Sequence, residues 1–222
     1  MAKRKKATRR PTRQSQDELK TVQIVEYEIT SEPIEDPRYI RLPGQVKDTI
    51  AQLHHDVQRH PHRAVPELVA LVKKYPHLPM LYNYLSVAYS RTGRREKAEE
   101  VVRENYQLNP DYVFARLNYA ELCRTQGDYE RIAEIFEHKF DLQLLYPNRK
   151  QFHISEVANF MGLMGVYFLE TGEREGAERY YGALKEIAPS YPMTKLLRRK
   201  LHPGFLRRML RRMAGEIQTK SS

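Results

Sequence analysis

Along residues 45–190, apolar, small and polar positions return with a step of thirty-four. Gly127 follows Gly93 by that interval, with Leu122, Asp128, Tyr129 and Phe136 in register, and Pro110 follows Pro76 as Ala98 follows Ala64. The clearest copy, Leu81 to Pro110, reads Tyr82-x2-Leu85-Ser86-x2-Tyr89, then Gly93, Ala98-x3-Val102 and Pro110. A last copy reads Met161-x2-Met164-Gly165-x2-Phe168, Gly172, Ala177-x3-Tyr181 and Pro189. Each copy predicts two antiparallel helices, neither of which can hide its apolar face alone, so neighbouring copies must stack.

The residue types suit that reading. Small side chains such as Ala98, Ala177 and Gly165 fit where two helices approach most closely, and Tyr89, Phe136, Phe168 and Tyr181 fill the space between layers. Gly93, Gly127 and Gly172 fall where a left-handed residue ends the first helix of a pair without a Cβ penalty. Pro110 and Pro189 close the second helix.

This spacing resembles the tetratricopeptide repeat (TPR) family over about two thirds of the chain. The resemblance implies an all-α, right-handed solenoid of about four helical hairpins, at 45–78, 79–112, 113–157 and 158–191, with a basic C-terminal capping helix. It also implies a non-enzymatic adaptor in which the first helices line a concave groove for an extended peptide or an amphipathic helix. The groove candidates are Met80, Asn83, Tyr84 and Val87, then Phe114, Leu117, Asn118 and Glu121, then Asn159, Leu163 and Val166, a set shared in part with the inter-repeat core. One TPR subtype grips a chaperone's C-terminal carboxylate with Lys, Asn and Arg side chains. The matching positions here hold Asn83, Val87, Asn118, Asn159 and Leu163, or in the earlier register Thr49, Leu53, Tyr84, Phe114 and Asn118. Neither set contains a cation, so an apolar peptide or amphipathic segment is the expected cargo.

Two places depart from the repeat. In residues 45–76, Arg59 and His60 stand where the glycine belongs, and Pro66 suits the first turn of the second helix. His54, His55, His60 and His62 crowd there, yet without a nearby cysteine they do not read as a metal site. Further on, the glycine spacing grows from 34 to 45, which places eleven additional residues near Asp141 to Ile154. That insertion is expected to lengthen one helix and its loop, as either part of a binding face or a tolerated excursion.

The ends differ from the middle. Seven basic residues and no acid occupy residues 1–14, and eight basic residues and no acid occupy 195–212, leaving the stretch between them net negative although the whole chain carries +10. Residues 1–18 read as a disordered basic tail, either an electrostatic arm or a solubilising one. Residues 19–44 read as an acidic extended arm against the solenoid, covering the first repeat or occupying the groove as an internal pseudo-ligand. After Pro192 two helices are expected, Met193 to Leu201 and Gly204 to Ile217, the second with Leu206, Met209, Leu210 and Met213 on one face. Arg198, Arg199, Lys200, Arg207, Arg208, Arg211 and Arg212 are the candidates for a polyanionic partner: RNA, DNA, lipid headgroups or an acidic protein. No aromatic other than Phe205 interleaves with these cations, so base stacking is not indicated.

Composition narrows the classes. With 222 residues, 41% apolar, and no apolar run near twenty, a spanning helix is not expected, and the basic start lacks the apolar segment of a secretory signal. Cys123 is the only cysteine, so no intramolecular disulfide can form, and it falls at a core position. No phosphate loop, nucleophile elbow or metal-ligand spacing occurs, so neither catalysis nor a cofactor is expected. The resulting expectation is a cytoplasmic adaptor. Its rivals are a nucleic-acid or ribosome-associated protein that uses the basic ends, and a small chaperone resembling the TPR chaperones of bacterial secretion systems.

Overall fold

The computed structural model describes residues 27–203. The expected tail at 1–18, the helix expected from Gly204 to Ile217, and Arg207, Arg208, Arg211 and Arg212 lie outside the described residues.

Within them the chain is mostly helical, and consecutive helices pack on one another. Four pairs follow in order: α2 (Gly44–Arg59) with α3 (Pro61–Lys74), α4 (Pro79–Arg91) with α5 (Arg95–Leu108), α6 (Val113–Gln126) with α7 (Tyr129–Ile135), and α9 (Ile154–Glu170) with α10 (Arg174–Ile187). A short α1 (Pro37–Ile40) precedes them, α8 (Leu142–Leu145) interrupts them, and α11 (Pro192–Leu201) follows. No described helix is long and apolar enough to cross a membrane.

The three glycines stop their helices as expected. Gly93, Gly127 and Gly172 have φ of 74°, 77° and 91°. In each case the residue after the glycine donates its N–H to a carbonyl five residues back: Arg94 to Tyr89 at 2.9 Å, Asp128 to Cys123 at 3.0 Å, and Glu173 to Phe168 at 2.7 Å. This double-bonded terminus satisfies carbonyls that the helix leaves unpaired, and it needs a residue without a Cβ penalty at positive φ. The first pair lacks such a glycine and turns at His60, whose φ is −136° and ψ 55°. There α3 starts at Pro61, so Pro66 sits inside the helix rather than in its first turn.

The apolar side chains sort into two cores. The first joins α2–α5 around Ile50, Leu68, Leu81 and Leu85; the second runs from Val113 to Leu201 around Phe136, Phe152, Phe160 and Met164. Helix α11 rests on α9 through glycines, for Gly162 meets Met193, and Gly165 meets Leu197 and Tyr180. Cys123 lies in the second core, where burial pushes its thiol up from the ordinary range.

The insertion lengthens its loop, and α9 after it has 17 residues against 13 in α4 and 14 in α6, but the helix before it is cut short. Helix α7 has seven residues against fourteen in α5 and α10. It ends at Glu137 and His138, both left-handed at φ 53° and 55°. Buried Arg116 fixes this exit by donating to the carbonyls of Pro110 and Ile135 and to the Glu137 carboxylate. The freed chain forms α8, capped by Asp141, and then strand β2 (Gln151–His153). Leu142, Leu145 and Phe152 are all buried in the second core.

The acidic arm also takes a course of its own. Strand β1 (Glu28–Thr30) pairs in parallel with β2, Ile29 opposite Phe152, and the Tyr27 ring meets that of Phe152 edge-on at 5.0 Å. The described part of the arm, from Tyr27, thus lies first on the far half of the molecule instead of covering only the first pair. It then crosses to the near half, where Tyr39 and Leu42 pack on the first core. The arm runs along the turn between α5 and α6, where Arg38 donates to Asn109 Oδ1 at 3.2 Å.

Candidate functional site

The two cores meet at a polar seam. Asn105 and Asn109 of α5 and its terminus are buried there, 2% and 4% exposed. Their amides form a relay whose sense is fixed at one end, because a guanidinium can only donate. Arg38 donates to Asn109 Oδ1, so Asn109 Nδ2 donates to Asn105 Oδ1 at 3.1 Å. Asn105 Nδ2 in turn donates to Asn83 Oδ1 and to the Pro79 carbonyl, both at 3.2 Å. Asn83 Oδ1 also accepts from Asn118 Nδ2 at 2.9 Å, which links α4 to α6. Among the described residues, this leaves Asn83 Nδ2 and Asn118 Oδ1, one donor and one acceptor, solvent-accessible and without a partner.

Beyond that bond α4 and α6 part company. They touch far less than α2 touches α4 or α6 touches α9. The gap is an open cleft of about 690 Å³, floored by Ala98 and Val102 of α5 and walled by Ser86, Val87 and Ser90 on one side and Phe114, Leu122 and Thr125 on the other. Asn83 and Asn118 stand in its lining, and Val87 is 38% exposed. Arg91, Arg95, Glu99 and Glu121 rim it with both charges.

Of the eleven groove candidates, five therefore come together: Asn83, Val87, Phe114, Asn118 and Glu121. Glu121 is held by Arg124 at 2.7 and 2.8 Å, which in turn reaches Glu170. Met80 and Tyr84 are half-buried on the first core, Tyr84 beside the His54 ring at 5.3 Å. Leu117, Leu163 and Val166 are core residues, Val166 with 0% exposure, and so cannot touch a partner. These three turn into the α6–α9 layer, where the helices pack closely. Asn159 lies apart and donates to its own helix at Ser155 O, 2.7 Å away.

The basic candidates also divide. Lys200 pairs with Glu170 at 2.6 Å. Arg198 and Arg199 are exposed and have no carboxylate within 4 Å among the described residues. Arg198 lines a second cleft, of about 340 Å³, with Tyr181 and Lys185 from α10, Pro189 after it, and Thr194 and Lys195 from α11. Sequence spacing hid Tyr181 and Lys185 because they belong to a different helix from the basic run. The only signal was their position near the end of α10, next to the turn that starts α11. Among the described residues, no group of three or more His, Cys, Asp or Glu converges as a metal cluster.

The fold thus defines a mostly helical protein of consecutively packed helix pairs with a cleft between its halves. No known family model matches the chain, and no curated protein sequence resembles it at a significant level.

Proposed function

We propose that the chain is a non-enzymatic scaffold of the TPR type that holds an extended peptide segment in the cleft between α4 and α6. The reading rests on one observation above the others: the asparagine relay, set by Arg38, that offers one amide donor and one amide acceptor beside Val87 and Phe114. An extended backbone presents that same pair of groups at every residue, and unpaired amides are costly to leave dry. The apolar walls take side chains, and the mixed rim selects against strongly charged cargo of one sign. Three Gly-terminated helix pairs spaced by 34 and 45 residues support the repeat assignment.

Peptides selected by display against the full chain test this reading. Val87→Glu is expected to weaken a selected peptide roughly tenfold or more by calorimetry with no loss of thermal stability, and Asn118→Ala to weaken it as far while lowering stability by about 0.5–1.5 kcal/mol, because it also removes the bond to Asn83 Oδ1. Equal affinity for parent and both variants would place the peptide elsewhere and remove the cleft from the account.

A further inference from the structure

We propose that the cleft between α10 and α11 seats one nucleotide of a single-stranded nucleic acid, with Lys185, Lys195 and Arg198 on the phosphates and Tyr181 as the stacking ring. This site is separate from the cleft between α4 and α6 and does not depend on what binds there.

Three observations carry the assignment. Lys185, Lys195 and Arg198 line one concavity with no carboxylate in its lining. None of the three has a carboxylate within 4 Å among the described residues, whereas Lys200 on the same helix does. Like charges gathered around a hollow repel, and an anion in the hollow reverses the sign of that interaction. Next, the hollow contains an aromatic ring, which a bare phosphate seat does not need. Tyr181 packs in part against the second core, with Lys185 Nζ over its ring at 5.6 Å from the centroid and the His202 ring at 5.6 Å, so a base stacks there by displacing the Lys185 ammonium towards the phosphate. A ring beside cations is the pairing that single-stranded nucleic acids use, since every base has a face to stack and every linkage a charge. Finally, about 340 Å³ lies at the small end of ligand pockets, room for one nucleotide unit and not for a duplex.

A lipid surface fits these features less well. Membrane association by a folded face needs exposed apolar side chains to insert. The large apolar side chains exposed among the described residues are Ile34, Ile40, Val69, Val87, Leu108 and Leu144, none of them on α10 or α11.

The test uses the full chain with fluorescein-labelled twelve-residue oligo-U and oligo-dT, read by anisotropy across a salt series. Competition with polyphosphate and flotation with phosphatidylserine vesicles run beside it. Lys185→Gln, Lys195→Gln and Arg198→Gln are each expected to flatten the slope of log affinity against log salt by about 0.7, the single-strand value for one phosphate contact. Tyr181→Leu is expected to weaken both oligonucleotides roughly 5- to 150-fold while leaving the salt slope and polyphosphate binding unchanged. Tyr181→Phe keeps the ring and is expected to bind as the parent does, and Arg199→Gln, outside the cleft, serves as the control. RNA bound more tightly than DNA, or equally, both support the site and tell which sugar it accepts. The proposal fails if the triple Gln variant binds like the parent, if Tyr181→Phe loses as much as Tyr181→Leu, or if polyphosphate binding falls with the ring. It fails equally if vesicles are bound and oligonucleotides are not.

Discussion

Gly162→Ala probes the contact that fixes α11, and with it Lys195 and Arg198, to the rest of the molecule. A Cβ at Gly162 would stand 2.5 Å from Met193 Cβ and 3.2 Å from Met193 Cγ and Cε. Carbon atoms pack at about 3.5–4.0 Å, so the two helices must separate by roughly 1 Å. Met193 Cβ is the root of its side chain, and no rotamer change moves it. The whole of α11 must therefore shift, drawing Leu197 and Leu201, both fully buried, off the second core. Overpacking of this kind costs about 1–3 kcal/mol. Alanine in a helix interior recovers about 1 kcal/mol relative to glycine. The net expectation is a loss of up to about 2 kcal/mol, from the difference of those two effects. Met193→Gly removes the opposing atom. In that background Gly162→Ala should stabilise by about 1 kcal/mol through helix propensity alone. Urea unfolding of the four proteins, followed by far-ultraviolet circular dichroism, gives the cycle, with an interaction energy expected at about 1–3 kcal/mol, the overpacking cost alone. If Gly162→Ala has the same effect with and without Met193, the close approach of α9 and α11 is not what the glycine serves.

Other expectations concern the polar interior. Tyr82 is 1% exposed and its hydroxyl has no partner among the described residues, so Tyr82→Phe should raise stability by about 1 kcal/mol, and a lowered melting temperature would contradict this. Asn105→Ala breaks the relay and strips the Pro79 carbonyl of its donor; a loss of about 1–3 kcal/mol is expected, with faster amide exchange in α4 and α6 than in α9 as the local readout. Burial pushes the phenols of Tyr27 and Tyr82 up to about 12, assisted by Asp141 and Glu104 respectively. The unfolded chain sheds those protons near pH 10, so stability is complete below about pH 10 and falls as pH climbs towards about 12. A urea midpoint unchanged between about pH 9 and pH 11.5 would refute that linkage.

What the chain revealed in advance was whatever its local chemistry encodes. A glycine that must be left-handed marks its own position, so Gly93, Gly127 and Gly172 stand where spacing put them. Gly165 is read correctly for the same reason, since only a residue without a side chain admits Leu197. The pairing of β1 with β2 had no such mark. Its three-residue strands lie more than 120 positions apart, and pairing between them depends on the fold that brings their edges together. The early end of α7 was hidden because Glu137 and His138 adopt a conformation that sequence reserves for glycine, held there by Arg116 from another helix. Which groove candidates belong to the core instead, as Leu117, Leu163 and Val166 do, is not written in the chain, because helical period gives a face but not its neighbour. Tyr181 reads as an inter-layer ring, and it does pack on the second core, but its share in the cleft was hidden because a cleft between two helices belongs to neither.

The arm ties together parts of the molecule that chain order keeps apart: Glu28–Thr30 pair with Gln151–His153, Arg38 reaches Asn109, and Tyr39 and Leu42 lie on the first core. Cutting the chain between Thr30 and Asp36 would therefore free one end of this tie and leave the other in place, so that the loss would be felt in both halves from a single break.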